Sequence, residues 1–149
     1  ADGNLPLFGA VKSGLESGFM LPHVTAASLA SENKTLAHPS SVDSISTSGG
    51  QEDIVSMAPW AGRSCLKIIE NVRRILAIEL LVSGNVNYRF HAKLQSSKSL
   101  TPLMDLLKKS NVLSKKDRVF AKDIEIVEKL IINNKVFDVV NKINKVSRI

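Results

Sequence analysis

Residues 52–83 read EDIVSMAPWAGRSCLKIIENVRRILAIELLVS. Apolar residues recur there at Cys65, Leu66, Ile69, Val72, Leu76 and Leu80, the three-and-four spacing of a helix stripe. Ile68, Ile75 and Ile78 widen that stripe towards burial on several sides. Some thirty residues at roughly 1.5 Å each make a rod of about 45 Å. That is longer than a compact chain of 149 residues needs, so the helix is expected to pack against chains beyond this one. Ser48-Gly49-Gly50-Gln51 matches a capping box that would open it. Pro59 predicts a kink near its start, and Ser83-Gly84-Asn85 predicts its end.

Outward from this helix the chain alternates apolar periodicity with turn residues. Residues 1–16 are rich in Gly and Pro and predict an irregular leading segment. Gly18 to Ala37 carries Phe19, Met20, Val24, Ala27, Leu29, Ala30 and Leu36, a helix of low polarity. Pro22 fits if that helix starts near Ser17, because first-turn N–H groups lack intrahelical partners. His38-Pro39 ends it, since the residue before proline is pushed out of the α region. Residues 39–50, PSSVDSISTSGG, form a polar loop long enough to suggest a functional one. Downstream come a loop over 85–98 and a short helix from Leu100 to Ser110. Asp117 is a candidate N-cap for a helix from Arg118 to Ile132 with Phe120, Ile124, Val127, Leu130 and Ile131 on one face. A last helix from Lys135 to Lys145 carries Val136, Val139, Val140 and Ile143. No segment alternates with period two for long, so the fold class is all-α, a bundle of long helices.

Composition narrows the function classes. No run of about 18 uncharged apolar residues exists, so no membrane span is expected, and no signal-peptide pattern is seen. The single cysteine, Cys65, excludes an intramolecular disulfide and fits a cytoplasmic protein. The chain opens Ala1-Asp2-Gly3 without methionine, which suggests that its start is not a natural translation start. Residues 1–107 carry nine Lys and Arg against nine Asp and Glu, whereas 108–149 carry eleven against five. A basic tail serves nucleic acid in some proteins; without zinc-finger spacing or aromatic interleaving, a solvated helix face is favoured and nucleic acid is not an expected partner. His23, His38 and His91 show no metal-ligand spacing with each other or with Cys65, so no metal site is expected. Glu79 lies within the apolar stripe, and Glu70 is spaced to pair with Arg73 or Arg74, by default at the surface. Gln51-Glu52-Asp53 would sit at the start of the long helix. There the acids either complement the helix dipole or aim a carboxylate into a site.

Longer motifs decide more. Ser17-Gly18-Phe19-Met20, Val24-Thr25-Ala26-Ala27 and the run from Leu29 through Glu32-Asn33-Lys34-Thr35 to His38-Pro39 lead into Ser41-Val42-Asp43-Ser44. Gln51-Glu52-Asp53, Val55-Ser56-Met57 and Arg74-Ile75-Leu76-Ala77-Ile78-Glu79-Leu80-Leu81 follow, with Asp117-Arg118, Phe120-Ala121 and Asp123-Ile124 in the tail. Together these resemble the aromatic amino acid ammonia-lyases, and within them the histidine ammonia-lyase branch, along nearly the whole chain, and the resemblance is expected to run to a natural C-terminus. The resemblance implies the C-terminal part of the histidine ammonia-lyase/fumarase-like helical fold. It also implies a homotetramer whose active sites draw on more than one subunit, and elimination of ammonia from histidine to give urocanate. The electrophile of that family is an imidazolone made from an Ala-Ser-Gly tripeptide.

Residue by residue, the resemblance implies that Glu52 lies near the substrate's side chain and the reacting centre. Met20 matches a pocket-lining position where the phenylalanine branch prefers lysine, and Gln51 is a neighbour in the same site. Family members usually read Asn-Gln-Glu-Asp-His where this chain has Gly50 and Ile54 at the two ends. The chain contains no Ala-Ser-Gly, and its one tyrosine, Tyr88, does not match the family's proton-abstracting tyrosines. The expectation is a fragment or split half of such a lyase, with a leading segment (1–16), core helices and an active-site loop (17–98) and a helical tail (99–149). It would be inactive alone, self-associating, and partnered by an N-terminal lyase portion. Its amino-acid substrate would bind only in the complete enzyme. The other reading is a helical assembly protein that kept the scaffold without the chemistry.

Overall fold

The computed structural model describes residues 5–12, 14–94 and 96–146. Residues 1–4 and Ser13 of the leading segment lie outside the described residues, as does the side chain of Ile143. Among the described residues five α-helices carry the chain: α1 (Met20–Leu36), α2 (Ala58–Phe90), α3 (Thr101–Lys109), α4 (Ala121–Ile132) and α5 (Lys135–Val146). Among the described residues there is no strand, only one isolated antiparallel bridge between Thr47 and Glu52, so the chain is all-α.

The 33 residues of α2 form the spine, about 50 Å at 1.5 Å per residue. α1 and α4 pack along it, and α3 meets both α2 and α5. The core gathers around the C-terminal half of the spine, where Ala77 and Leu81 of α2 meet Phe19, Leu107, Val112, Phe120 and Val127. Burying such side chains stabilises by roughly 1.5–3 kcal/mol each relative to exposure. Leu66, Ile69, Val72 and Leu76 form a stripe on the other side of α2, and all four are exposed. The anticipated pairing of Glu70 with Arg73 or Arg74 is not seen among the described residues: Glu70 meets Lys67 at 3.7 Å, and Arg74 reaches across to Glu128 of α4 at 3.1 Å.

Several expected boundaries move, each for a local reason. The capping box does not form, and α2 begins at Ala58 rather than at residue 52. Ser48, Gly49 and Gly50 instead take left-handed φ values of 55°, 67° and 85° in a 3-10 turn, a conformation that cannot lead into a right-handed helix. Gln51, Glu52 and Asp53 therefore precede the helix without capping it. Pro59 falls in the first turn of α2, where its missing N–H costs nothing, so it starts the helix rather than kinking it. The other end also shifts: Ser83, Gly84 and Asn85 continue the helix to Phe90, leaving a connection of 91–100 instead of 85–98. Gly84 is a packing position, since a Cβ there would lie 2.6 Å from Cδ1 of Leu107. Asp117 does not cap α4, whose preceding residue is Phe120. Its Oδ2 is engaged by the Gly18 N–H at 3.1 Å. α1 starts at Met20, which places Pro22 within its first turn.

Asn85 is fully buried. Its Nδ2 donates to the carbonyls of Leu81 (2.9 Å) and Val112 (3.1 Å), and its Oδ1 accepts from the Ser114 N–H at 2.8 Å. The α3–α4 connection is thus stapled to the spine. Leaving one such buried group unpaired costs about 1–3 kcal/mol, so with the accompanying cavity Asn85→Ala should lower stability by about 2–4 kcal/mol. Urea unfolding checks this, and a loss below about 1 kcal/mol would show that water replaces the staple.

Candidate functional site

Residues 37–57 join α1 to α2 and carry the acidic candidates. Two pins close this long connection on itself. Ser44 Oγ accepts from the Val55 N–H at 2.8 Å and faces the Val55 carbonyl at 3.4 Å. Further in, the Thr47 N–H donates to the Glu52 carbonyl at 3.0 Å and the Glu52 N–H to the Thr47 carbonyl at 3.3 Å. Between them the turn Ser48–Gly50 reverses the chain. Thr47 Oγ1 donates to Glu52 Oε2 at 3.1 Å, so backbone and side chain of Glu52 are both held by one threonine. Oε1 makes no hydrogen bond among the described residues. Gln51, Glu52 and Asp53 are all exposed, and Ile54 beside them is 89% exposed.

The structure places the other candidate elsewhere. Met20 is the first residue of α1 and is exposed, while its neighbour Phe19 is buried against Phe120 with ring centroids 4.8 Å apart. No hydrogen bond or ion pair among the described residues joins Gln51 or Glu52 to Met20. A cleft of about 520 Å³ opens beside α1, lined by Gly18, Leu21, Arg74, Asp117, Arg118 and Ile124 among others; a smaller one of about 200 Å³ lies between His38, Asp43 and Trp60. Neither is lined by Met20, Gln51 or Glu52. Tyr88 is half-buried on α2 with Lys115 Nζ 5.7 Å from its ring centroid. Among the described residues no three His, Cys, Asp or Glu side chains gather to hold a metal ion, and no helix is long and apolar enough to cross a membrane.

Of the charged groups that do converge, Arg89 and Glu16 were not singled out by sequence. Arg89 donates to the carbonyls of Ser114 (2.8 Å), Gly9 (3.0 Å) and Lys116 (3.1 Å). Burial pulls its pKa down, while Asp117 and Glu16 favour the charge. The Lys12 and Val11 N–H groups, which bond the Glu16 carboxylate, hold its pKa below the usual range. Arg118 grips Asp123 through two bonds of 2.8 and 3.0 Å; burial nevertheless pushes the Asp123 carboxyl up, outweighing the arginine. A lone arginine near a helix end gives no periodic or motif signal, which is why pattern reading passes over Arg89.

An all-helical chain with a long spine and a pinned acidic loop narrows the class, and comparison with known proteins settles the family. The family model described as aromatic amino acid lyase matches residues 1–109, and the chain belongs to that family. Within it the similarity is to histidine ammonia-lyases. The bovine enzyme is 47% identical over 135 residues, which is 91% of this chain and 20% of the relative. That of Burkholderia cenocepacia is 47% identical over 127 residues, 85% of this chain and 25% of the relative. The crystal structure of histidine ammonia-lyase from Trypanosoma cruzi superposes with a TM-score of 0.87 at 41% identity, over 93% of this chain and 27% of that one. The chain therefore spans about a fifth to a quarter of the length of these relatives.

Gly50, where the resemblance noted above implies asparagine, has φ 85°, and Gly and Asn are the residues that take left-handed φ most readily. Gly50→Asn should leave the turn intact. Gly50→Val should weaken it by about 1–2 kcal/mol, speeding hydrogen exchange at the Thr47 and Glu52 amides by about 5–30-fold. Equal exchange in the two variants would mean that the pins, rather than the turn, set the loop's geometry.

Proposed function

We propose that this chain is the C-terminal helical portion of a histidine ammonia-lyase, working only within a complete enzyme that converts L-histidine to urocanate and ammonia. The observation that carries this reading is the 47% identity to histidine ammonia-lyases over 135 residues. The 149 residues contain no Ala-Ser-Gly, so the family's imidazolone has no source here and must be supplied by another part of a complete enzyme. Inactivity of the isolated chain follows. What this chain contributes is the pocket wall. Glu52, braced by Thr47 through Oε2, offers its second oxygen to the substrate's side chain, with Gln51 beside it and Met20 supplying apolar surface.

The exposed stripe of Leu66, Ile69, Val72 and Leu76 supports a second element of the proposal, self-association through α2. A contiguous apolar face on a spine of this length is the kind of surface that marks an interface, and copies of one chain close such faces by symmetry.

Two measurements test these statements. Purified chain given histidine should produce no absorbance from urocanate, whereas co-expression with an upstream lyase portion carrying Ala-Ser-Gly should restore it. In that complete enzyme Glu52→Gln should cut turnover by about 10²-fold, within the range for a positioned acid–base group, with little change in melting temperature. Turnover by the isolated chain, or full turnover in the variant, would overturn the respective claim. Light scattering of the isolated chain should show assemblies larger than a monomer; Leu76→Glu should shift them towards monomer, and a monomer at high concentration would remove the interface.

A further inference from the structure

Phe19 immediately precedes Met20 and is held from several directions. Its N–H donates to the Phe8 carbonyl at 2.8 Å. Its ring lies 4.8 Å from that of Phe120 and 4.5 Å from the Arg89 guanidinium carbon. The residue before it, Gly18, has φ 56° and its N–H on Asp117, and a Cβ at Gly18 would collide with the Phe8 carbonyl oxygen. Only glycine lets the chain pass that close.

Arg89 unites these contacts. Its three hydrogen bonds join the leading segment at Gly9 to the α3–α4 connection at Ser114 and Lys116, and its guanidinium carbon lies over the Phe19 ring, with the Phe120 ring centroid at 5.9 Å. The family model's match ends at residue 109, yet Ser114, Lys116, Asp117 and Phe120 all lie beyond it. The tail is thus tied to the two residues before Met20, to Phe19 through the Arg89 guanidinium and to Gly18 through the Asp117 carboxylate.

We propose that Arg89 is a positioning residue for the substrate pocket, setting the place of Met20 through Phe19 by clamping the leading segment and the 114–120 segment together. This rests on the reading of Met20 as a pocket wall given above. A lysine could keep the charge but has neither the planar fork for three carbonyls nor a face to stack on Phe19.

The test is a double-mutant cycle in the complete enzyme, with histidine as substrate and melting temperatures recorded for wild type, R89K, M20A and the double variant. R89K should raise KM about tenfold, the worth of one lost interaction near 1.4 kcal/mol, with kcat little changed, as expected when uniform binding is lost. In the M20A background the same change should raise KM by less than about twofold, because residues acting through one contact are not additive. An equal rise in KM in both backgrounds, or no rise, overturns the proposal while leaving the lyase reading in place. A wild-type enzyme that does not turn over histidine removes both. Should R89K fail to assemble, R89Q, which keeps two N–H donors without the charge or the full fork, takes its place in the cycle with M20A, and additivity there overturns the proposal equally.

Discussion

The structure depends on the continuation of α2 through Gly84 and Asn85. Had the helix ended at Ser83, neither Asn85 nor Arg89 would stand where the α3–α4 connection passes. Because Gly84 has no Cβ, Leu107 packs directly against the spine, and the connection then comes within reach of the Asn85 carboxamide one residue on. One turn later Arg89 collects three more carbonyls. These two side chains bond backbone groups of Val112, Ser114 and Lys116, the kind of pairing that lets an irregular segment run beside a core. The tail, α1 and the leading segment are all placed by this final stretch of one helix.

The chain splits accordingly into a well-packed end and an open one. Around Ala77 and Leu81 apolar side chains are fully enclosed, and the arginine clamp lies close by. Towards Trp60 the spine is largely exposed, and so is the loop that presents Glu52. This asymmetry agrees with a chain that spans about a fifth to a quarter of its relatives' length.

Much of the fold was legible because helices with strong apolar periodicity announce themselves. α1, α3 and α5 lie within two residues or so of their expected bounds, and the core positions Phe120 and Val127 were read from spacing alone. The misplaced boundaries were those resting on punctuating residues. Gly49-Gly50 looked like the lead-in to a helix and Gly84 like a terminator. Glycine permits a left-handed turn, a helix end or a close packing contact, and the partner that selects among these is distant in sequence. Asp117 shows the same ambiguity, since its acceptor serves Gly18 rather than its own helix. Of the candidate site, the residues came from family resemblance while their mutual arrangement did not. Gln51 and Glu52 lie together in the loop, whereas Met20 stands apart at the head of α1. The threonine that braces Glu52 and the arginine behind Phe19 carry no sequence signature, because each acts through contacts with backbone groups or a single neighbour.

The two pins in the loop between α1 and α2 have a thermodynamic consequence. A free segment of this length would have to be ordered each time a ligand arrived, and that loss of conformational freedom would weaken binding. Here Ser44 with Val55, and Thr47 with Glu52, fold the segment back on itself before any partner is present. The ordering cost is met once, during folding. In the proposed role the Glu52 carboxylate would then be offered from a preorganised platform, whose motions should be those of a rigid flap rather than of a fluctuating coil.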